Sequence, residues 1–271
     1  MASAEVPASP PADSSAARPH MARVYDYMLG GTTNFAADRA VGDQIVAALP
    51  DVQVGVRAQR AVLGRVVRYL AGQAGIRQFL DIGSGLPTAD NVHQIARRAS
   101  PAARVAYVDN DPLVVSQAAA LTAGDPATLV TAGDLLRPAG ILASPAVRAH
   151  LDFRQPVGLL LCGILHYIPD DADPAGLVAA LAGALPAGSY LFIQHLLASE
   201  NAAHAEVQAA MQAGLGSVRF RTRAEVRRLF AGYGLIEPGL VLVPQWRPDP
   251  DTLSERDWPV LQLACAGVAR M

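Results

Sequence analysis

Everything else in the chain can be placed from Gln78-Phe79-Leu80-Asp81-Ile82-Gly83-Ser84-Gly85. Five residues with an apolar core run straight into two glycines, the pattern of a strand entering a tight turn. Working outward, Val92, Ile95, Ala96 and Ala99 repeat with helical period, and Pro87 suits the first turn of that helix. Residues 104–108 make a second strand ending at Asp109-Asn110-Asp111-Pro112, followed by a helix over about 112–121. Residues 127–131 make a third strand, ended by Gly133-Asp134. Residues 157–162 make a fourth, apolar throughout as a strand buried on both faces should be. A helix over 174–185 and a strand over 190–195 form a fifth unit. Thr222 and Glu225 are spaced as a capping box, Val226, Leu229, Phe230 and Tyr233 continue a helical stripe, and Gly234 reads as its stop. Two strands follow, over 240–244 and 261–269. This alternation predicts an α/β fold: a Rossmann-like, doubly wound, mostly parallel seven-stranded sheet. The last two strands lie too close for a helical crossover, so they are expected to form an antiparallel edge hairpin.

Upstream, residues 57–71 carry the helical stripes Val62, Val66, Tyr69 and Leu63, Val67, Leu70, with Arg57, Arg60, Arg65 and Arg68 on what reads as a solvated face. The domain reading is a disordered tail over 1–20, a helical cap or lid over 21–71 and the Rossmann-like domain over 72–271. The tail is rich in Pro, Ala and Ser and lacks the apolar centre of a signal peptide. The uncharged stretch 174–199 is broken at Leu185-Pro186-Ala187-Gly188, which argues against a membrane span.

With 51% apolar and 17% charged residues, the 271-residue chain is built to bury a core. Its formal charge of −2 argues against a nucleic-acid binder working by bulk charge. All 22 cationic residues are Arg, so no mechanism that needs a lysine is open to it. Two cysteines, Cys162 and Cys265, make no disulfide framework, and a cytoplasmic location is expected. No His/Cys spacing suggests a metal site.

In such a sheet, ligands sit at the carboxyl ends of the strands. The first end carries Asp81, Gly83, Ser84 and Gly85, where glycines let the backbone approach a ligand. The second carries Asp109, placed to chelate two ribose hydroxyls or, alternatively, to cap the helix at Pro112. The third carries Asp134, suited to an adenine edge. The fourth carries residues 162–167, a turn facing the reacting group. Thr88 stands where a dinucleotide fingerprint has its third glycine, and Pro87 removes a backbone N–H that a pyrophosphate would want. A nucleoside without phosphate fits better than NAD or FAD.

These motifs, with residues 163–169 and Leu185-Pro-Ala-Gly188-Ser-Tyr-Leu191, resemble the class I S-adenosylmethionine-dependent methyltransferases. More narrowly, Ala22-Arg-Val-Tyr-Asp-Tyr-Met-Leu-Gly-Gly31, Asn34-Phe-Ala-Ala-Asp-Arg39, Gly85-Leu-Pro-Thr88 and Val243-Pro-Gln-Trp-Arg-Pro248 are similar to an actinobacterial methyltransferase family formerly catalogued as a domain of unknown function. The resemblance spans about residues 21–271. It implies S-adenosyl-L-methionine as cofactor and leaves the acceptor open. It places Asp81, Gly83 and Gly85 against the methionine part, Asp109 on the ribose, Asn110 against the adenine, and Asp134 and Leu135 at its edge. Cys162 and Gly163 then line the sulfonium end through backbone carbonyls.

Residues 21–39 are read as a lid over this cofactor. Arg23 is expected to pair with its carboxylate, Tyr25 and Tyr27 to shield the sulfonium, and Gly30-Gly31 to hinge the segment. His166, then Tyr167, are the candidate general bases for an acceptor hydroxyl. The leading expectation is methyl transfer to a small molecule. Its rivals are a non-catalytic module that binds the cofactor or its demethylated product, and a nicotinamide oxidoreductase.

Overall fold

A computed structural model describes residues 18–87, 90–230 and 232–271. Three helices come first: α1 (Met21–Met28), α2 (Ala36–Ala48) and α3 (Val52–Gly72). The alternating unit follows as β1 (Gln78–Ile82), α4 (Val92–Ala99), β2 (Arg104–Asp109), α5 (Pro112–Leu121) and β3 (Thr128–Ala132). Then come α6 (Pro138–Ala143), α7 (Pro145–His150), β4 (Gly158–Cys162), α8 (Pro174–Gly183) and β5 (Tyr190–Leu196). The chain closes with α9 (Ala202–Leu215), α10 (Arg223–Arg228), β6 (Gly234–Leu235), β7 (Val241–Leu242) and β8 (Ala264–Arg270).

The sheet runs β3-β2-β1-β4-β5-β8-β6, with β7 also on β8. The first five strands are parallel, and β8 is antiparallel to β5 from Tyr190↔Arg270 to Leu196↔Ala264. The expected α/β class, the mostly parallel sheet and the antiparallel C-terminal pairing are all present. Among the described residues the sheet counts eight strands, because the outer edge is split into two two-residue pieces, β6 and β7. The last strand is not an edge strand. It lies inside the sheet, with β6 and β7 outside it. Its composition accounts for this: Ala264 to Ala269 are all buried, which an edge strand facing water does not require.

Apolar alternation feeds two cores, one on each face. Phe79, Leu160, Phe192 and Val268 share one with α1, α2, α3, α4 and α9. Leu80, Leu159, Ile193 and Ala269 share the other with α6, α7, α8 and α10. On α3, Val62, Leu63, Val66, Val67 and Leu70 are at most 4% exposed, each worth about 1.5–3 kcal/mol of burial. The three N-terminal helices therefore share their core with the sheet.

Three local expectations are corrected. Pro87 lies in the turn before α4, which starts only at Val92 behind Asn91. Gly234 belongs to β6; the capping box of Thr222 and Glu225 is formed, but α10 ends at Arg228. The arginine face of α3 is not uniformly solvated. Arg65 is 5% exposed and donates to the carbonyls of Trp246 and Val243, tying α3 to the segment before β8. Thr88 and residues 1–17 lie outside the described residues.

Candidate active site

The carboxyl ends of β1 to β5 open into a cavity of about 400 Å³ roofed by α1, α2, α3 and α9. At its floor, Gly83 and Gly85 take φ +70 and +67, backbone that side chains rarely adopt. A Cβ at Gly83 would strike Ile164 at 2.7 Å, whereas one at Gly85 would meet nothing within 4 Å, leaving room for a ligand at the backbone. The turn is strapped to β2: Gly83 N–H donates to Val108 O (2.8 Å) and Gly85 N–H to Asp109 Oδ2 (2.9 Å). Asp109 Oδ1 accepts from Asp111 N–H at 3.0 Å. These two bonds fix the carboxylate and leave about two of its four lone-pair sites unused. Helix capping falls to Asp111, which accepts from Leu113 N–H at 2.8 Å, so Asp109 is free of that task.

Asp81, 4% exposed, accepts no hydrogen bond from any described residue. Burial pushes its carboxyl up to about 7, the Asp109 charge adds to this, and the Arg60 guanidinium opposes it. Ser84, Asn110, Asp134, Leu135, Cys162 and Gly163 all line the same cavity. Burial first, then Asp81, drives the Cys162 thiol up to about 12, so it is no nucleophile at neutral pH.

After β4, residues 165–170 turn beneath the cavity. His166 and Tyr167 line it, their rings 4.2 Å apart between centroids. Burial, with His195 and Arg221 nearby, holds the His166 imidazole well below its ordinary range, and its Nδ1 has no partner among the described residues. Burial, then Tyr25, holds the Tyr167 phenol well above its own. Arg221, 3% exposed, clamps this turn, donating to Leu165 O, Ile168 O and Asp170 Oδ1. It also meets His195 Nε2 at 3.1 Å.

From α1, Met21, Ala22, Tyr25, Asp26 and Met28 line the cavity, but Arg23, Tyr27 and Gly31 do not. Arg23 points the other way, into ion pairs with Asp38 (2.9 Å) and Asp111 (3.0 Å). Tyr27 also turns away from the cavity: its ring packs on Gly42 of α2 and its hydroxyl donates to Asp43 at 2.6 Å. Gly31 is small because a side chain there would run into the Asp26 carboxylate. Among the described residues, the arginine on the cavity wall is Arg60.

A family model for the S-adenosyl methyltransferases matches residues 7–271. The chain belongs to that family. This S-adenosyl methyltransferase is 42% identical to a Thermobifida fusca protein assigned as a methyltransferase, covering 97% of this chain and 99% of that one with a TM-score of 0.89. It is 40% identical to a DUF574 family protein of Streptomyces avermitilis, covering 94% and 98% with a TM-score of 0.89. Human N-acetylserotonin methyltransferase, at 16% identity and a TM-score of 0.50 over 95% of this chain and 64% of that one, shares the fold. A search of curated proteins found no match. The methyltransferase uses S-adenosylmethionine, and its acceptor is unidentified.

The residues present fit that cofactor. A buried carboxylate with no hydrogen-bond donor among the described residues, Asp81, suits a cationic ligand, and the open space at Gly85 admits it to the backbone. No group of three or more potential metal ligands occurs among the described residues, and no helix described in the methyltransferase is long and apolar enough to cross a membrane. Sequence reasoning missed Arg60, Gln194 and the α9 wall of Val207 and Met211. The i, i+4 spacing of Val207 and Met211 was the available signal for that wall.

Proposed function

We propose that the enzyme methylates a small molecule held between the cap and the ends of β4 and β5. The observation that carries this reading is the division of the cavity: Asp81, Asp109 and Asp134 gather at the ends of β1, β2 and β3, while α2, α9 and β5 contribute mainly apolar side chains, with Gln194 the polar exception on β5. When bound, the cofactor supplies an electrophilic methyl group on a sulfonium. In our reading Asp109 accepts from the ribose hydroxyls, Asn110, Asp134 and Leu135 border the adenine, and Asp81 with the Gly83–Gly85 turn holds the methionine end. Arg60 takes the carboxylate role first given to Arg23. Cys162 and Gly163 present backbone carbonyls toward the sulfonium.

Residues 21–71 act as a cap, with Tyr25 and Met28 excluding water from the reacting groups. Most of the rate then comes from proximity and orientation. His166 and Tyr167 orient the acceptor as neutral hydrogen-bonding groups; an imidazole held so far below its ordinary range is a weak base. A reducing cytoplasm suits the two free thiols.

The test is titration with S-adenosylmethionine. Asp109→Asn is expected to bind it about 30- to 150-fold more weakly, about 2–3 kcal/mol, with its circular dichroism spectrum unchanged. Equal affinity in a folded variant removes Asp109 from the site. Methyl transfer to small acceptors, followed by S-adenosylhomocysteine release, tests the acceptor class.

A further inference from the structure

Gln194 has no use in the cofactor reading. It sits near the end of β5, paired in register with Cys162, and its alternation puts it on the same face as Phe192 and Leu196. It is 0% exposed, on the cavity wall, and both Oε1 and Nε2 lack a hydrogen-bond partner among the described residues. Buried amides are rarely left with both ends unpaired, because each end forfeits its bonds to water. Every other residue of β5 on that face belongs to the apolar core, so a Leu here would pack without that cost.

Two neighbours share the spot. A Cβ at Gly163 would lie 3.1 Å from Gln194 Oε1 and 3.9 Å from His166 Cε1. Gly163 thus lets the backbone pack close against the carboxamide, with the imidazole of His166 beside it, whose Nδ1 also has no partner among the described residues. Much of the wall of the same cavity is apolar, including Ile45, Leu196, Val207, Met211 and Leu263. The charged groups of the cavity, among them Asp81, Asp109, Asp134 and Arg60, belong to the cap or to the ends of β1, β2 and β3. In the strand order, β5 lies two places from β1, about 10 Å away. Arg221, the cation felt by His166, does not line the cavity and is already paired with Asp170, so it is not offered to an ionic acceptor at this end. A carboxamide, by contrast, offers a donor and an acceptor side by side.

We propose that the acceptor is an uncharged, largely apolar molecule bearing an adjacent donor and acceptor, as in a lactam, and that Gln194 recognises that pair. This rests on the cavity being the methyl-transfer site proposed above. It adds a specificity-determining residue to that site.

Calorimetry on the full chain tests it, first with S-adenosylhomocysteine, then with three flat probes added to the saturated complex. 2-Quinolone carries the lactam pair, N-methyl-2-quinolone lacks the donor, and 2-naphthoate is anionic. The expected result is that 2-quinolone binds at least tenfold more tightly than the other two. In Gln194→Leu that preference disappears, S-adenosylhomocysteine affinity is unchanged, and the unliganded variant melts at a higher temperature than the wild type. Equal binding of the three probes to the wild type overturns the proposal without any variant. So does a preference that survives in Gln194→Leu, or a variant that melts lower, since the carboxamide would then be serving the fold. Failure of the underlying reading looks different: the first titration gives no binding.

Discussion

Asp81 and His195 are both buried at strand ends, and burial moves their protons in opposite directions. Asp81 is raised to about 7 from the ordinary carboxyl range. A cation beside it is held by the ionised form, so S-adenosylmethionine affinity should climb by up to about tenfold per pH unit between 5.5 and 7 and then level off. Asp81→Asn should show a flat profile in the same titrations; parallel profiles would take Asp81 out of cofactor binding. His195 is lowered to about 4, mainly by burial. The unfolded chain takes up that proton near 6.5 while the folded protein resists it to about 4. Its contribution is therefore complete above 6.5 and is lost as pH falls toward 4, about 3 kcal/mol in all. Unliganded Asp81 opposes this, because its folded value is raised and its contribution is lost as pH rises from 3.8 to 7. Thermal melts of Asp81→Asn remove that opposition and should show melting temperature falling steadily from pH 6.5 to 4. A flat curve would mean His195 is not sealed.

Among the elements, the turn after β4 depends on one side chain from outside it. Arg221 bonds two of its carbonyls and Asp170, and its own charge is almost wholly buried. Arg221→Met keeps the volume but strands those acceptors. Asp170 is largely exposed and keeps Arg219, so the cost is that of the two stranded carbonyls: the variant should lower stability by about 2–4 kcal/mol in urea unfolding and lower turnover through misplacement of His166. A loss under about 1 kcal/mol would make the clamp ornamental. None of this is readable from Arg219-Phe220-Arg221, which looks like any exposed arginine pair. The strands around it were readable, because continuous apolar runs and glycine turns are local signals. Asp81, Gly85, Asp109 and Asp134 were placed on one cavity because the topology orders strand ends. Arg23 and Arg60 were not distinguishable in the same way: which guanidinium faces inward depends on how α1 and α3 are rotated, and Asp38 and Asp111, which settle Arg23, lie far from it in sequence. Gln194 was hidden for a related reason, since a lone polar residue in an apolar strand announces nothing until its missing partners are known.

At the scale of the molecule, α1 contributes Val24 and Met28 to the core and Tyr25 to the cavity from only eight residues. Cofactor binding should therefore slow amide hydrogen exchange over residues 21–48 more than over residues 223–242, of which no described residue lines the cavity. Uniform slowing would separate the cap from the ligand.

The interior position of β8 bears on how the chain assembles. β6 and β7 have no sheet neighbour except β8 among the described residues, and β8 must find β5 across the whole of residues 197–263. Closing so long a loop is entropically slow, whereas β1, β2 and β3 join through short helical crossovers. The nucleoside side of the sheet can condense early, while the β5 side, where Gln194 sits, waits for the last strand to arrive. On the reading proposed above, the half of the molecule that selects the acceptor is then the last to form.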